Sequence, residues 1–182
     1  MGFAVGEVEV PLGPERVRPG DVLLGLPSSG PHSNGFSLIR RVIARRGLDI
    51  SRVYPEVGDR PLGELLLAPT RIYVGTVMEL LSRFEVHAAA HITGGGIHNI
   101  ARALPRGLSA HVERDAWPRA PLWEALREWG EIPEDEMWAT FNMGLGFVLA
   151  LPRREAERAL GLAEDAYLVG EVREGERKVV LK

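Results

Sequence analysis

Short apolar runs alternate with amphipathic stretches along most of this chain. Val22-Leu23-Leu24-Gly25-Leu26 is a continuous apolar run of strand length, the pattern of a strand covered on both faces. Phe36, Ile39, Val42 and Ile43 then recur at helical spacing with Arg40, Arg41, Arg45 and Arg46 largely opposite, and Gly47 is a fitting stop. Pro61 opens a short helix carrying Leu62, Leu65 and Leu66. Thr70 can cap a further helix whose buried stripe is Tyr73, Val77, Leu80, Leu81 and Phe84. Strands are predicted over 3–10, 86–92, 108–113 and 145–151. Helices are predicted over 97–104, 121–129, 133–138 and 153–162. The runs 167–172 and 177–181, separated by Glu174-Gly175, read as a hairpin.

This mixture, with a terminal hairpin, makes an all-parallel sheet improbable and predicts an α+β (mixed α/β) fold: a mixed β-sheet packed with helices. No repeat, low-complexity tract or linker divides the chain. Its 182 residues form one domain, long enough to bury roughly 70% of the surface its unfolded chain exposes. At 45% hydrophobic and 26% charged the composition is that of an ordinary globular protein. The formal net charge of −3 argues against a nucleic-acid partner held by a broad positive field. With no cysteine there is neither a disulfide framework nor a thiolate metal site. No apolar run approaches the ~20 residues of a membrane span, and Met1–Val5 lacks the basic region and apolar block of a signal peptide. No membrane association is expected, and a cytoplasmic location is.

The chemistry concentrates between the elements. Ser28-Ser29-Gly30-Pro31-His32-Ser33-Asn34-Gly35 sits between a strand and a helix start. Its small polar residues make a poor core and a good cradle: glycine admits close backbone approach, Ser33 or Asn34 can cap the helix, and a helix N-terminus favours an anion such as phosphate. The competing reading is a well-capped turn. Thr93-Gly94-Gly95-Gly96 is a second small-residue loop after a strand, either another phosphate nest or a sharp turn. It matches neither the Walker nor the Rossmann pattern. Asn142, in Asn142-Met143-Gly144-Leu145-Gly146, can meet a ligand with its amide or bond its own backbone in a turn. His87 and His91 are four apart but lack the Glu of a zinc-binding His-Glu-x-x-His, and no metal site is assigned. His91, beside the triple glycine, is the one placed to reach a ligand. The four tryptophans read as core or interface, and Glu134-Asp135-Glu136 as a solvated helix start.

Four motifs occur in order: Gly-Leu-Pro-Ser-Ser-Gly-Pro-His-Ser-Asn-Gly (25–35), Leu-Leu-Ala-Pro-Thr-Arg-Ile-Tyr (66–73), His-Ile-Thr-Gly-Gly-Gly (91–96) and Phe-Asn-Met-Gly-Leu-Gly (141–146). Together they resemble the C-terminal half of the phosphoribosylformylglycinamidine cyclo-ligase (aminoimidazole ribonucleotide synthetase) family of purine biosynthesis. The resemblance runs from about Gly6 to Val180 and implies ATP-dependent cyclisation of formylglycinamidine ribonucleotide, with Mg2+ in the complete enzyme. It implies that Ser28, Ser29, Gly30, His32, Ser33, Asn34, Gly35, Thr93, Gly94, Gly95 and Gly96 hold substrate or phosphate, with Thr70, Arg71, His91 and Asn142 in a second rank and no assigned catalytic base. It also implies a missing N-terminal ATP-binding and dimerisation domain, a homodimer in the complete enzyme, and a chain inactive by itself. The alternative is a non-catalytic phosphate- or nucleotide-binding or assembly module. The chain departs from the family after the triple glycine, where Ile97-His98-Asn99 lacks one residue and the usual acidic group.

Overall fold

The computed structural model describes residues 7–182. A six-stranded sheet forms its centre. The strands are β1 (Val22–Pro27), β2 (Ala88–His91), β3 (Leu108–Val112), β4 (Leu145–Leu151), β5 (Tyr167–Glu174) and β6 (Val179–Leu181), in spatial order β2-β4-β1-β5-β3-β6. The β3/β6 pair is parallel and the others are antiparallel, which makes the sheet mixed. Helices α1 (Phe36–Arg46), α2 (Leu62–Leu66), α3 (Val74–Arg83), α4 (Pro121–Gly130), α5 (Glu134–Thr140) and α6 (Ala156–Leu162) pack around it.

The continuous apolar run 22–26 is buried throughout because β1 lies inside the sheet with helices on both sides. Leu23 joins a core with Ile39 and Val42 of α1 and Leu122 and Leu126 of α4. Val22, Leu24 and Leu26 join a second core with Leu80 of α3 and Ala156 and Ala159 of α6. Alternate residues of one strand thus feed opposite faces. Among the described residues no helix is long and apolar enough to cross a membrane.

Several sequence expectations need correction. The strand over 3–10 lies partly outside the described residues, and 7–10 form coil and bends. The terminal hairpin does not form: β5 and β6 do not pair, because β3 lies between them, bonded to each. The alternation was read correctly as strands, but Leu108, Ala110 and Val112 of β3 are buried, and an inner strand requires a neighbour on each edge. Neither Ser33 nor Asn34 caps α1. Its N-cap is Gly35, at φ 76°, with no side-chain cap. Thr70 likewise caps nothing, since α3 begins after Tyr73. The helix expected over 97–104 is a 3-10 helix, Gly96–Ala103, and that over 153–162 starts with a 3-10 turn, Arg153–Glu155, before α6.

Candidate functional site

The loop after β1, the segment before α3, the glycine loop after β2 and the turn before β4 converge at one end of the sheet. Asn142 ties two of them together. Its side-chain oxygen accepts from Ser28 Oγ (3.0 Å) and the Gly144 N–H (3.0 Å), while its amide nitrogen donates to the Gly30 carbonyl (2.8 Å). It is 1% exposed, so of its two readings the turn-forming one describes it: it shapes the cradle from within. Ser29 Oγ donates to the Pro69 carbonyl (2.6 Å) and the Tyr73 hydroxyl to the Pro27 carbonyl (2.9 Å), fastening the 66–73 segment to the same loop.

The two glycine-bearing loops lie side by side. A β-carbon built on Gly94 would lie 3.5 Å from Asn34 Oδ1, at ordinary contact distance. Within the first loop Ser28 N–H bonds the Gly144 carbonyl and Asn34 N–H the Pro31 carbonyl. The amides of Gly30, His32, Ser33 and Gly35 find no partner among the described residues. In the second loop Thr93 N–H (2.7 Å) and Thr93 Oγ1 (3.2 Å) bond Asn99 Oδ1, Asn99 Nδ2 donates to the Gly94 carbonyl (3.3 Å), and Gly96 N–H bonds the Thr93 carbonyl. That leaves the Gly94 and Gly95 amides free among the described residues. Unpaired amides in adjacent bends are the donors an anion nest uses.

Sequence reasoning did not assign Asn99 a role. It is 3% exposed and sets the shape of the glycine loop. The signal was an asparagine six residues after Thr93, but a contact across a 3-10 turn has no periodicity to reveal it. Gly96 is buried and closes on α5: a β-carbon there would collide with the Trp138 carbonyl oxygen. This position packs too tightly for any side chain.

His32 has an unusual setting. Its φ is 56°, uncommon for a residue with a side chain, and it is 6% exposed. Ser29 N–H points at Nε2 (3.3 Å), which places the ring proton on Nδ1, and buried Nδ1 has no partner. Burial, and next the charge of His91, hold its pKa below the ordinary histidine value, so the ring is neutral near pH 7. His32, Tyr73, His91 and Phe147 form an aromatic group with ring centroids 5.4–6.4 Å apart. His91 is exposed at its edge, and Thr70 is exposed without a bonded partner among the described residues. Arg71 is ion-paired with Asp165 and lies 5.3 Å from the Tyr73 ring centre. His87 is held at the opposite end of β2 by Asp21 (2.7 Å) and Glu85 (3.2 Å).

Burial, opposed by Arg71 and reinforced by Asp165, pushes the Tyr73 phenol up to about 12. A raised folded pKa means that the unfolded chain gives up its proton first. The Tyr73 contribution is therefore constant below pH ~10 and is lost as the pH rises from there to about 12. Tyr73→Phe should lose about 1 kcal/mol at neutral pH and flatten that alkaline decline, measurable by urea unfolding across the alkaline range.

Comparison with known proteins places the fold in a family. The family model "AIR synthase related protein, C-terminal domain" matches residues 18–182. A phosphoribosylformylglycinamidine cyclo-ligase from Symbiobacterium thermophilum is 50% identical over 181 residues, covering 94% of this chain and 51% of that protein. The chain spans about half the length of the curated relatives it matches. Among solved structures, the hydrogenase maturation protein HypE of E. coli superposes with a TM-score of 0.62 at 25% identity, covering 95% of this chain and 49% of that one. A HypE structure in complex with ATP gives 0.58 at 22% identity, covering 93% and 49%. With a match from Arg18 to the last residue, and with the motif-bearing loops gathered at one end of the mixed sheet, the chain belongs to the AIR synthase related family, whose C-terminal domain it contains.

Proposed function

We propose that this chain is the C-terminal, substrate- and phosphate-binding domain of a phosphoribosylformylglycinamidine cyclo-ligase, a cytoplasmic enzyme of purine biosynthesis. It works there with an N-terminal ATP-binding and dimerisation domain and as part of a homodimer. The observation that carries the reading is the proximity of the two glycine-bearing loops, with free amides of both at one end of the sheet. The relatives' name supplies the reaction. ATP phosphorylates the formyl amide oxygen of formylglycinamidine ribonucleotide. The amidine-derived nitrogen then attacks the activated carbon, phosphate leaves as the ring closes, and ADP is the other product.

In that reaction the chain's task is to hold and orient. Amides of Ser33, Gly94 and Gly95 donate to phosphate oxygens, each charge-assisted bond contributing about 1.5–3 kcal/mol. Their positions are fixed before the ligand arrives by Asn142 and Asn99, which lowers the ordering cost of binding. His32 presents a neutral Nδ1–H donor with no acceptor in the protein, suited to an oxygen that gains negative charge. Among the described residues no group of three or more His, Cys, Asp or Glu could hold a metal ion. Mg2+ is held by one or two carboxylates together with substrate phosphates, and no step is assigned to the ion.

Mixing this chain with the N-terminal half of the Symbiobacterium relative should restore ATP-dependent ring closure, whereas the chain alone should show none. In that assay His32→Ala and Asn34→Ala should each lower kcat/KM at least tenfold, equivalent to about 1.4 kcal/mol, and exposed His98→Ala should not. Full activity in both site variants would refute the assignment.

A further inference from the structure

Behind the first loop lies a cavity of about 240 Å³, walled by Ser28, Gly30, Arg60, Leu65, Trp123 and Gly144 among others. Its walls contain no carboxylate, and Arg60 is their one cation. Two larger clefts carry both signs of charge. The one at the far end of the sheet sets Arg16, Arg18 and Arg154 beside Asp21 and Glu85. The one along α4 and α5 sets Arg119 and Arg127 beside Glu124 and Glu134. There Arg154 is paired with Glu85 and Arg127 with Glu124. Arg60 has no carboxylate partner among the described residues, so its charge is available to a guest.

Two neutral donors accompany it. Trp123 is 2% exposed, and its indole N–H is buried without an acceptor. A buried donor left unpaired costs about 1–3 kcal/mol, a cost that a ligand oxygen would remove. The Gly30 amide is likewise unbonded, and the loop that carries it is anchored by the bond from Asn142 to the Gly30 carbonyl. Leu65, Val57, Pro118 and Leu122 make the remaining wall apolar. The volume is below the ~300–1,000 Å³ of sites for drug-sized ligands. It suits a sugar-sized body with one phosphate and is too small for a whole nucleotide.

We propose that this cavity receives the phosphate monoester end of the substrate. The phosphate sits at Arg60, with the Gly30 amide and the Trp123 indole as neutral donors. The free amides of Ser33, Gly94 and Gly95 are thereby left to the phosphoryl group delivered by ATP. The proposal rests on the cyclo-ligase reading for which substrate it is, and on the cavity's own chemistry for the site. It explains why one protein end carries two donor sets on either side of Ser28–Gly30: the reaction handles two separate phosphates, one that stays on the ribose and one that is transferred.

Ribose 5-phosphate and inorganic phosphate are the probes, titrated into the full chain with calorimetry and tryptophan fluorescence, after circular dichroism has established that each variant is folded. Arg60→Gln should weaken ribose 5-phosphate at least tenfold. Trp123→Phe, which keeps the ring and removes the donor, should weaken it about threefold and abolish most of the fluorescence response. Unchanged ribose 5-phosphate affinity in both variants, or no binding to the unaltered chain at millimolar concentrations, overturns the proposal. The double variant His32→Ala/Asn34→Ala separates the two readings. If it alone loses phosphate probes, the glycine-loop reading stands and the cavity proposal falls. If only Arg60→Gln and Trp123→Phe lose ribose 5-phosphate, the cavity proposal stands and the glycine-loop reading falls.

Discussion

Gly96→Ala should leave the chain largely unfolded or barely stable, while Gly47→Ala should cost no more than about 1 kcal/mol. Both glycines sit in left-handed backbone, at φ 55° and 61°. Forcing an ordinary residue into that region costs roughly 1 kcal/mol, and the pair shares this term. They differ in surroundings. A β-carbon at Gly47 meets nothing within 4 Å. At Gly96 it would collide with the Trp138 carbonyl oxygen and stand 2.7 Å from that of Phe141. These are backbone atoms at the end of α5, with Trp138 and Phe141 each 1% exposed in the core, so no side-chain rotation relieves the clash. Overpacking of this kind typically costs 1–3 kcal/mol even where side chains can adjust. Here the total should exceed about 4 kcal/mol, a large share of the 5–15 kcal/mol that holds a domain together. Urea unfolding followed by tryptophan fluorescence measures both variants. Equal midpoints would show that the glycine loop does not close on α5. Gly94→Ala, facing only Asn34 at 3.5 Å, should fold normally and lose affinity for phosphate probes.

How far the sequence reveals this architecture depends on the range of the interaction. Spacing and end signals are local, so α1 with its Gly47 stop, and the strands through 22–26 and 145–151, are legible from the residues. Strand partnership is not local. Nothing in Tyr167–Leu181 states that β3, some sixty residues earlier, will come between β5 and β6. The two runs carry the same alternation whether they pair with each other or with a third strand. The caps illustrate a similar limit. Ser33 and Asn34 have the right chemistry to cap α1, but Gly35 adopts the left-handed turn that starts the helix, leaving the Asn34 side chain against the second glycine loop. At the candidate site, residue types that suit phosphate could be listed from sequence. Which of them form the frame could not. Asn142 carries a ligand reading and a turn reading in the sequence, and its buried bonds to Ser28, Gly30 and Gly144 appear only in the fold; Asn99, Arg60 and Trp123 acquire meaning only from what they stand beside.

Asn142→Asp tests that division between frame and contact, and its effect should depend on pH. The substitution keeps the shape and the oxygen that accepts from Ser28 and Gly144, but sets a second oxygen against the Gly30 carbonyl at the position of a 2.8 Å hydrogen bond. At neutral pH the chain would have to bury a carboxylate facing a carbonyl, which loses that bond and leaves Gly30 unsatisfied; about 3 kcal/mol or more should be lost. Burial raises the pKa of such a carboxyl above the ~3.9 of an unfolded aspartate. The folded chain therefore retains a proton that the unfolded chain has released, so the deficit relative to the parent is greatest at neutral pH and narrows as the pH falls toward ~3.9. Once protonated, the carboxyl can again donate to Gly30 while accepting from Ser28. Asn142→Ala removes both functions, and its deficit should be the same at every pH. Urea midpoints for the three proteins between pH 7 and pH 4 decide the matter. A deficit for Asn142→Asp that does not change with pH would mean the side chain does not hold the Gly30 carbonyl, and the loop would then not be fixed in advance for an anion. If the deficit narrows as described, phosphate affinity should recover over the same pH interval, since the frame and the donor set are one structure.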